Sequence, residues 1–194
     1  QYNYAIRKAL YPNQRDILSG DLILICNNNY HTYSTELYNG DIAKVVDKSE
    51  KTETLSAPIW TVKNGKKERV LIALDFRKIT IRIPNYDGEI SCYIIETLLN
   101  SIDRDLTVEM TKALYINFVM RFNEAQQRRE QSGLKKHKVG SKEFKDALKA
   151  DPFYNALRVK YGYAITCHKA QGGEWDTVFV DYSGRIGLYD DALR

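Results

Sequence analysis

The residues best suited to chemistry lie near the carboxyl end, in the stretch YAITCHKAQGGEWDTVFVD from Tyr163 to Asp181. Tyr163, Ala164 and Ile165 read as a buried strand and CHKAQGGEW as a short helix or tight turn, which puts Thr166 at a helix N-terminus. Unpaired backbone N–H groups there, with a hydroxyl beside them, favour a bound phosphate. His168 and Lys169 add donors, the lysine carrying a permanent charge. Gln171 can both donate and accept, Gly172 and Gly173 let a backbone come close, and Glu174 is placed to accept from a sugar hydroxyl. All these polar residues suit a nucleotide or a nucleic-acid backbone. Metal chemistry is not expected: Cys26, Cys92 and Cys167 are too widely spaced for a Cys-x-x-Cys site, and His31 and His137 are isolated from other ligand types in sequence.

Periodicity and turn residues outline the elements that must position this segment. Tyr2 to Leu10 reads as the end of a helix stopped by Pro12. From Asp21 the pattern turns to strands. DLILIC is a short apolar run, LYNGDIAKVV sets Asn39-Gly40 between extended stretches as a hairpin signal, and PIWTVKNGKKERVLIAL carries a second Asn-Gly at Asn64-Gly65. In RKITIRI the apolar Ile79, Ile81 and Ile83 alternate with polar neighbours. Four or five short strands are expected between residues 21 and 83, and closure into a small barrel would remove their exposed edges. After Pro84, Met110, Leu114, Phe118 and Phe122 recur every fourth residue behind a capping Thr107, which predicts an amphipathic helix of about five turns. Ser141 can cap a second helix over SKEFKDALKA, with Phe144 and Leu148 as its apolar pair and Asp151-Pro152 as its end. The final third, read as strand, helix and the strand TVFVDY, predicts a βαβ-like fragment of a parallel sheet, with Trp175 packing beside its second strand.

Composition narrows the class. With 194 residues, 43% of them hydrophobic and 28% charged, the chain is neither disordered, collagenous nor a coiled coil. No run approaches the ~18 apolar residues of a membrane span, and QYNYAIRKAL lacks the layout of a signal peptide. Three cysteines are an odd count, so a reducing, cytoplasmic setting is the default expectation. Charge is uneven: between Arg121 and Lys149 nine basic residues face four acids, which concentrates a net +5 there in a chain of net +4. Lys135, Lys136 and Lys138 lie in the middle of this stretch, the kind of localised footprint a polyanion selects. A solvated helical face with its loop would account for the same charges.

Ala-Ile-Thr-x-His-Lys-Ala-Gln-Gly-x-Glu resembles motif V and its extension in superfamily-one helicases of the RecD-like branch, within what is called the UvrD-like helicase C-terminal domain. GDLILICNNNY followed by LYNGDIAKVV is similar to the segment that precedes motif V in that family, and Asn3, Ile6, Arg7, Leu10 and Pro12 look like the tail of the helix after motif IV. The resemblance implies an α+β chain. Residues 1–18 and 156–194 would be part of a RecA-like second motor lobe of the P-loop NTPase type, residues 19–88 an SH3-like barrel, and residues 89–155 a basic helical insertion without a family counterpart. It implies that Thr166 and His168 touch phosphates of a translocated single strand, and that Gln171, Gly172, Glu174 and Lys169 lie near the nucleotide. Asn39 and Tyr30 would join the strand contacts, with Tyr33 and Tyr38 of the same stacking type, and Lys135, Lys136 and Lys138 would extend them. The implied partners are single-stranded DNA, with RNA left open, the N-terminal RecA-like lobe of the same parent, and a nuclease or other repair partner.

Several family features are missing. The only Gly-Lys pair, Gly65-Lys66, has no glycine at the Walker A spacing, and no Asp-Glu pair follows an apolar strand in Walker B fashion. The chain starts at Gln1 and stops at Leu193-Arg194, which reads as a piece of something longer. ATP and Mg2+ are thus expected to be bound by the parent, with neither held tightly by this piece, which is expected to be inactive alone. Two other function classes fit the same residues: a non-catalytic single-strand-binding module, and an interaction domain whose basic insertion recruits a partner.

Overall fold

The computed structural model describes residues 2–33, 35–63, 65–84, 86–103, 105–171 and 173–181. Among them the chain runs α1 (Tyr2–Leu10), β1 (Leu22–Ile25), β2 (Ile42–Lys63), β3 (Lys66–Arg82), β4 (Ile90–Ile95) and a single 3-10 turn at Glu96–Leu98. It continues through α2 (Val108–Gln131), α3 (Lys142–Ala150), β5 (Val159–Tyr161) and α4 (Cys167–Ala170). The mixed α+β class holds, and the five strands form one antiparallel sheet in the order β4-β3-β2-β1-β5.

The strands are fewer and longer than the sequence predicts. Around the second Asn-Gly the strands do form a tight hairpin: Lys63 pairs with Lys66, and Gly65 takes φ 76°, which costs glycine little, while Asn64 lies outside the described residues. Asn39-Gly40 makes a turn, closed by the Asp41 N–H donating to the Tyr38 carbonyl at 3.1 Å, but not the expected hairpin. β2 pairs instead with β1, Leu22 opposite Lys44. The reason lies in residues 30–38, where Leu37 is the one aliphatic side chain; it buries fully, and the ladder there shrinks to a single Asn29–Leu37 bridge. Closure into a barrel does not occur either. Among the described residues no ladder joins the edge strands β4 and β5, and a single isolated parallel bridge, Leu157 just before β5 with Ile94 of β4, is what links them.

The helices follow their patterns closely. Thr107 caps α2 by accepting from the Met110 N–H at 3.2 Å, and Ser141 caps α3 by accepting from the Phe144 N–H at 3.2 Å. At 24 residues α2 outruns its apolar repeat, because Glu124 to Gln131 supplies good helix formers until Gly133 turns the chain at φ 76°. The face bearing Ala113, Leu114 and Ile116 packs on the sheet through Ala57, Ile59, Val70, Ile72 and Leu74. Phe118 and Phe122 meet Phe144 of α3 with ring centroids 5.3 and 5.0 Å apart. No helix among the described residues is long and apolar enough to cross a membrane.

The last third departs most from expectation. Neither residues 163–165 nor residues 177–181 form strands, and Val178 and Phe179 are 60% and 97% exposed. A buried parallel strand requires paired neighbours on both sides. β5 instead ends at Tyr161, where Gly162 lies against the Ile23 backbone (a Cβ would come within 3.1 Å of the Ile23 carbonyl carbon) and the chain leaves the sheet. The expected βαβ fragment of a RecA-like lobe is therefore not formed among the described residues. Trp175, expected to pack beside a buried strand, is 47% exposed and folds over Gly173.

Phe144→Ala removes the side chain through which α3 meets α2, and loss of a buried phenylalanine costs about 3–5 kcal/mol. Hydrogen exchange should show α3 amides losing protection first while those of β1 to β4 retain theirs.

Candidate nucleic-acid interface

Two side chains of α1 fix the start of the Thr166 segment. Asn3 makes a reciprocal pair with the Ala164 backbone, its amide donating to the carbonyl at 2.9 Å and its oxygen accepting from the N–H at 2.7 Å. One turn further on, Arg7 donates from Nε and Nη2 to the fully buried Asp21 at 2.9–3.1 Å, and its ring neighbour Tyr161 lies 4.5 Å beneath the guanidinium. The Leu18 N–H and the Tyr163 hydroxyl also donate to Asp21, at 2.7 and 2.5 Å. Burial, and then that bond to Asp21, hold the Tyr163 hydroxyl protonated far above the usual phenol range, while burial pushes Tyr161 up to about 12. Further on, the Tyr2 hydroxyl donates to Asp181, so α1 touches the segment at both ends.

The second component is the loop from Cys26 to Asp41, built largely by asparagine side chains. Asn27 accepts from the Arg158 N–H at 3.1 Å, Asn28 accepts from the Asn39 N–H at 2.7 Å, and Asn29 accepts from the Thr32 N–H at 3.0 Å. Such side chains close turns by imitating backbone acceptors. Asn28 also donates to the Tyr30 hydroxyl at 2.5 Å, leaving Tyr30 and Tyr38 edge to face at 5.9 Å. Both rings are about half exposed, 45% and 48%. Tyr33, of the same stacking type in sequence, packs against the core instead and keeps little free ring.

Among the described residues a hydrogen bond joins these two components: Lys169 Nζ donates to the Asn39 side-chain oxygen at 3.1 Å. Residues 130 positions apart thereby form one surface. Thr166 stands at the N-cap of α4 with its hydroxyl making no cap bond, exposed beside an exposed His168, and Gln171 and Glu174 are exposed on the following turn. Gly172 lies outside the described residues. Beneath the contact, burial raises the Cys26 thiol pKa, and the nearby Lys169 and Lys160 ammonium groups pull it back. The patch therefore offers cations, amides and two aromatic faces, a set matched to phosphates and bases.

Lys135, Lys136 and Lys138 lie elsewhere, exposed on the connection between α2 and α3. Lys136 pairs with Glu130 at 2.5 Å, and the Lys135 carbonyl accepts from Arg129 Nε at 2.8 Å. No hydrogen bond or ion pair among the described residues joins these lysines to the Asn39–Lys169 surface. Asn28, Asp21 and Tyr163 were not legible as site-forming residues, although the Asn27-Asn28-Asn29 run is a turn signal that could have pointed to the first of them. Among the described residues no group of His, Cys, Asp and Glu side chains is placed to hold a metal ion.

Comparison with known proteins bears on the carboxyl-terminal stretch. Residues 161–193 match the family model of the UvrD-like helicase C-terminal domain, so the stretch that carries the Thr166–Glu174 turn is similar to a helicase C-terminal region. The chain is also 22% identical, over 93% of its own length, to an uncharacterized protein of Acanthamoeba polyphaga mimivirus, and it spans 38% of that relative's length.

Asn3→Ala should cost about 1 kcal/mol of stability, as for a typical lost hydrogen bond, and should speed hydrogen exchange at the Ala164 amide. Arg7→Met, which strands the Asp21 carboxylate in the interior, should cost about 3–5 kcal/mol by urea denaturation.

Proposed function

We propose that this chain is a piece of a RecD-like, ATP-dependent DNA helicase that moves five-prime to three-prime along a single strand in recombination or repair, and that the Thr166–Glu174 turn reads strand and nucleotide together. The observation that carries this reading is the Lys169–Asn39 contact, which unites the two segments that resemble that family. Thr166, His168, Asn39 and Tyr30 take the strand. Gln171 and Glu174 face the nucleotide, whose phosphates and Mg2+ are held mainly by an N-terminal RecA-like lobe of the parent. Lys169, assigned to the nucleotide on resemblance alone, fits the strand side better, because its ammonium already sits on Asn39.

The Asn3–Ala164 pair, with Arg7 and Tyr163 meeting on Asp21, supports grouping residues 1–18 with residues 156–194 as one lobe. The apolar groups left open nearby support a companion lobe that covers them: Tyr2, Ile6 and Leu10 recur at steps of four on one face of α1, and Val178 to Val180 are exposed beside the Tyr2–Asp181 contact. Coupling then follows, since one short turn anchored at both ends contacts strand and nucleotide, and closure of a cleft on ATP shifts the grip on the strand.

Two measurements test the proposal. In fluorescence anisotropy with a labelled single-stranded oligonucleotide, Tyr30→Ala should weaken binding by about 1–3 kcal/mol, and Lys169→Gln should reduce the salt slope by about 0.7. In the parent enzyme, Thr166→Ala and Glu174→Ala should both fold and both lower strand-stimulated ATP hydrolysis. Undiminished coupling in both variants refutes the assignment.

A further inference from the structure

At the far end of β2 from Asn39, the hairpin made with β3 presents two unlike faces. Ala57 and Ile59, opposite Ile72 and Val70, pack on Ala113 and Ile116 of α2, and Asn117 ties the hairpin down by donating to the Ser56 carbonyl at 3.0 Å. A two-stranded ribbon alone is only marginally stable; α2 makes this one firm. The alternate residues face outward: Pro58 opposite Leu71, Trp60 opposite Arg69, Val62 opposite Lys67. Trp60, Val62 and Leu71 are each about two-thirds exposed.

The arrangement is ordered by strand. Toward the tip, β2 contributes the apolar Trp60 and Val62, and β3 sets the cationic Arg69 and Lys67 directly across from them. Neither cation has a carboxylate partner among the described residues, and Glu68 is the sole acid between Lys66 and Arg69. An uncharged protein partner would leave both cations unmatched. A nucleic-acid strand matches both rows, with bases on the aromatic side and phosphates on the cationic one. Arg69 and Lys67, two residues apart on one face of β3, lie about 6.6–6.8 Å from each other along the strand.

The geometry points to the outward face of this hairpin as a second single-strand contact, with a base stacked on Trp60 and phosphates on Lys67 and Arg69. This rests on the nucleic-acid reading above and adds to it a site remote from the Asn39–Lys169 surface. Trp60 and Trp175 are the two tryptophans of the chain, so in a Trp175→Phe variant the indole emission reports Trp60 alone. Titration with unlabelled oligothymidylate should quench that emission saturably, over the same concentrations at which a labelled oligonucleotide gains anisotropy. Trp60→Ala should weaken binding roughly 5- to 150-fold, and Lys67→Glu with Arg69→Glu should lower the salt slope by about 1.4. Binding with unquenched Trp60 and an unchanged slope overturns the hairpin site and leaves the Asn39–Lys169 reading standing. Equal quenching by blunt duplex overturns the single-strand assignment, and no binding of any oligonucleotide overturns both readings.

Discussion

A carboxylate shut away from water at Asp21 is the constraint on which the rest of this structure depends. Burying an ionised group is unfavourable unless charge and hydrogen bonds surround it. Here Arg7, the Leu18 N–H and the Tyr163 hydroxyl all converge on it. Those groups come from α1, from the turn before β1 and from the chain leaving β5. Satisfying one charge therefore fixes α1 against the chain leaving β5, and the Thr166 turn inherits a defined position relative to the sheet.

Much of the fold was legible because local chemistry and tertiary packing agree. Thr107 and Ser141 are cap residues in sequence and caps in space, and Phe118, Phe122 and Phe144 bury as their spacing requires. Gly65 helps turn β2 into β3 for the same reason. The readings that failed are those in which a local signal needed a distant partner. Asn39-Gly40 turned the chain, yet the residues before it lacked the apolar alternation to pair with β2. TVFVDY has the composition of a buried strand, but its residues 177–181 meet no ladder among the described residues, and its valines and Phe179 stand open. Composition reports what a segment can bury; it does not report whether neighbours are there to bury it.

The candidate site divides along the same line. The polar residues of the Thr166–Glu174 turn were visible by type and spacing, and all those described are accessible, as contact with a ligand requires. Their connection to Asn39 was not visible, since no sequence period links positions 130 residues apart. Nor was the asymmetry of the β2–β3 hairpin, because which of Trp60 and Ile59 faces outward depends on where α2 docks. The basic run around Lys135 was plain in sequence, but its charges are partly spent on one another through Glu130.

The single bridge between Leu157 and Ile94 carries a mechanical implication. Across that seam the edges of the sheet are held by two backbone hydrogen bonds, Ile95 N–H to the Leu157 carbonyl at 3.0 Å and Leu157 N–H to the Tyr93 carbonyl at 2.7 Å. β5 is more firmly laced to β1, through three paired residues. Side chains of β5 and its approach reinforce the seam: Lys160 Nζ donates to the Leu98 and Ser101 carbonyls, and Arg158 pairs with Asp105 at 2.9 Å. The strand that carries the chain toward α4 is thus tied on one side by a ladder and on the other chiefly by side chains, so charge substitutions at Lys160 or Arg158 reach the Thr166 turn through the sheet edge.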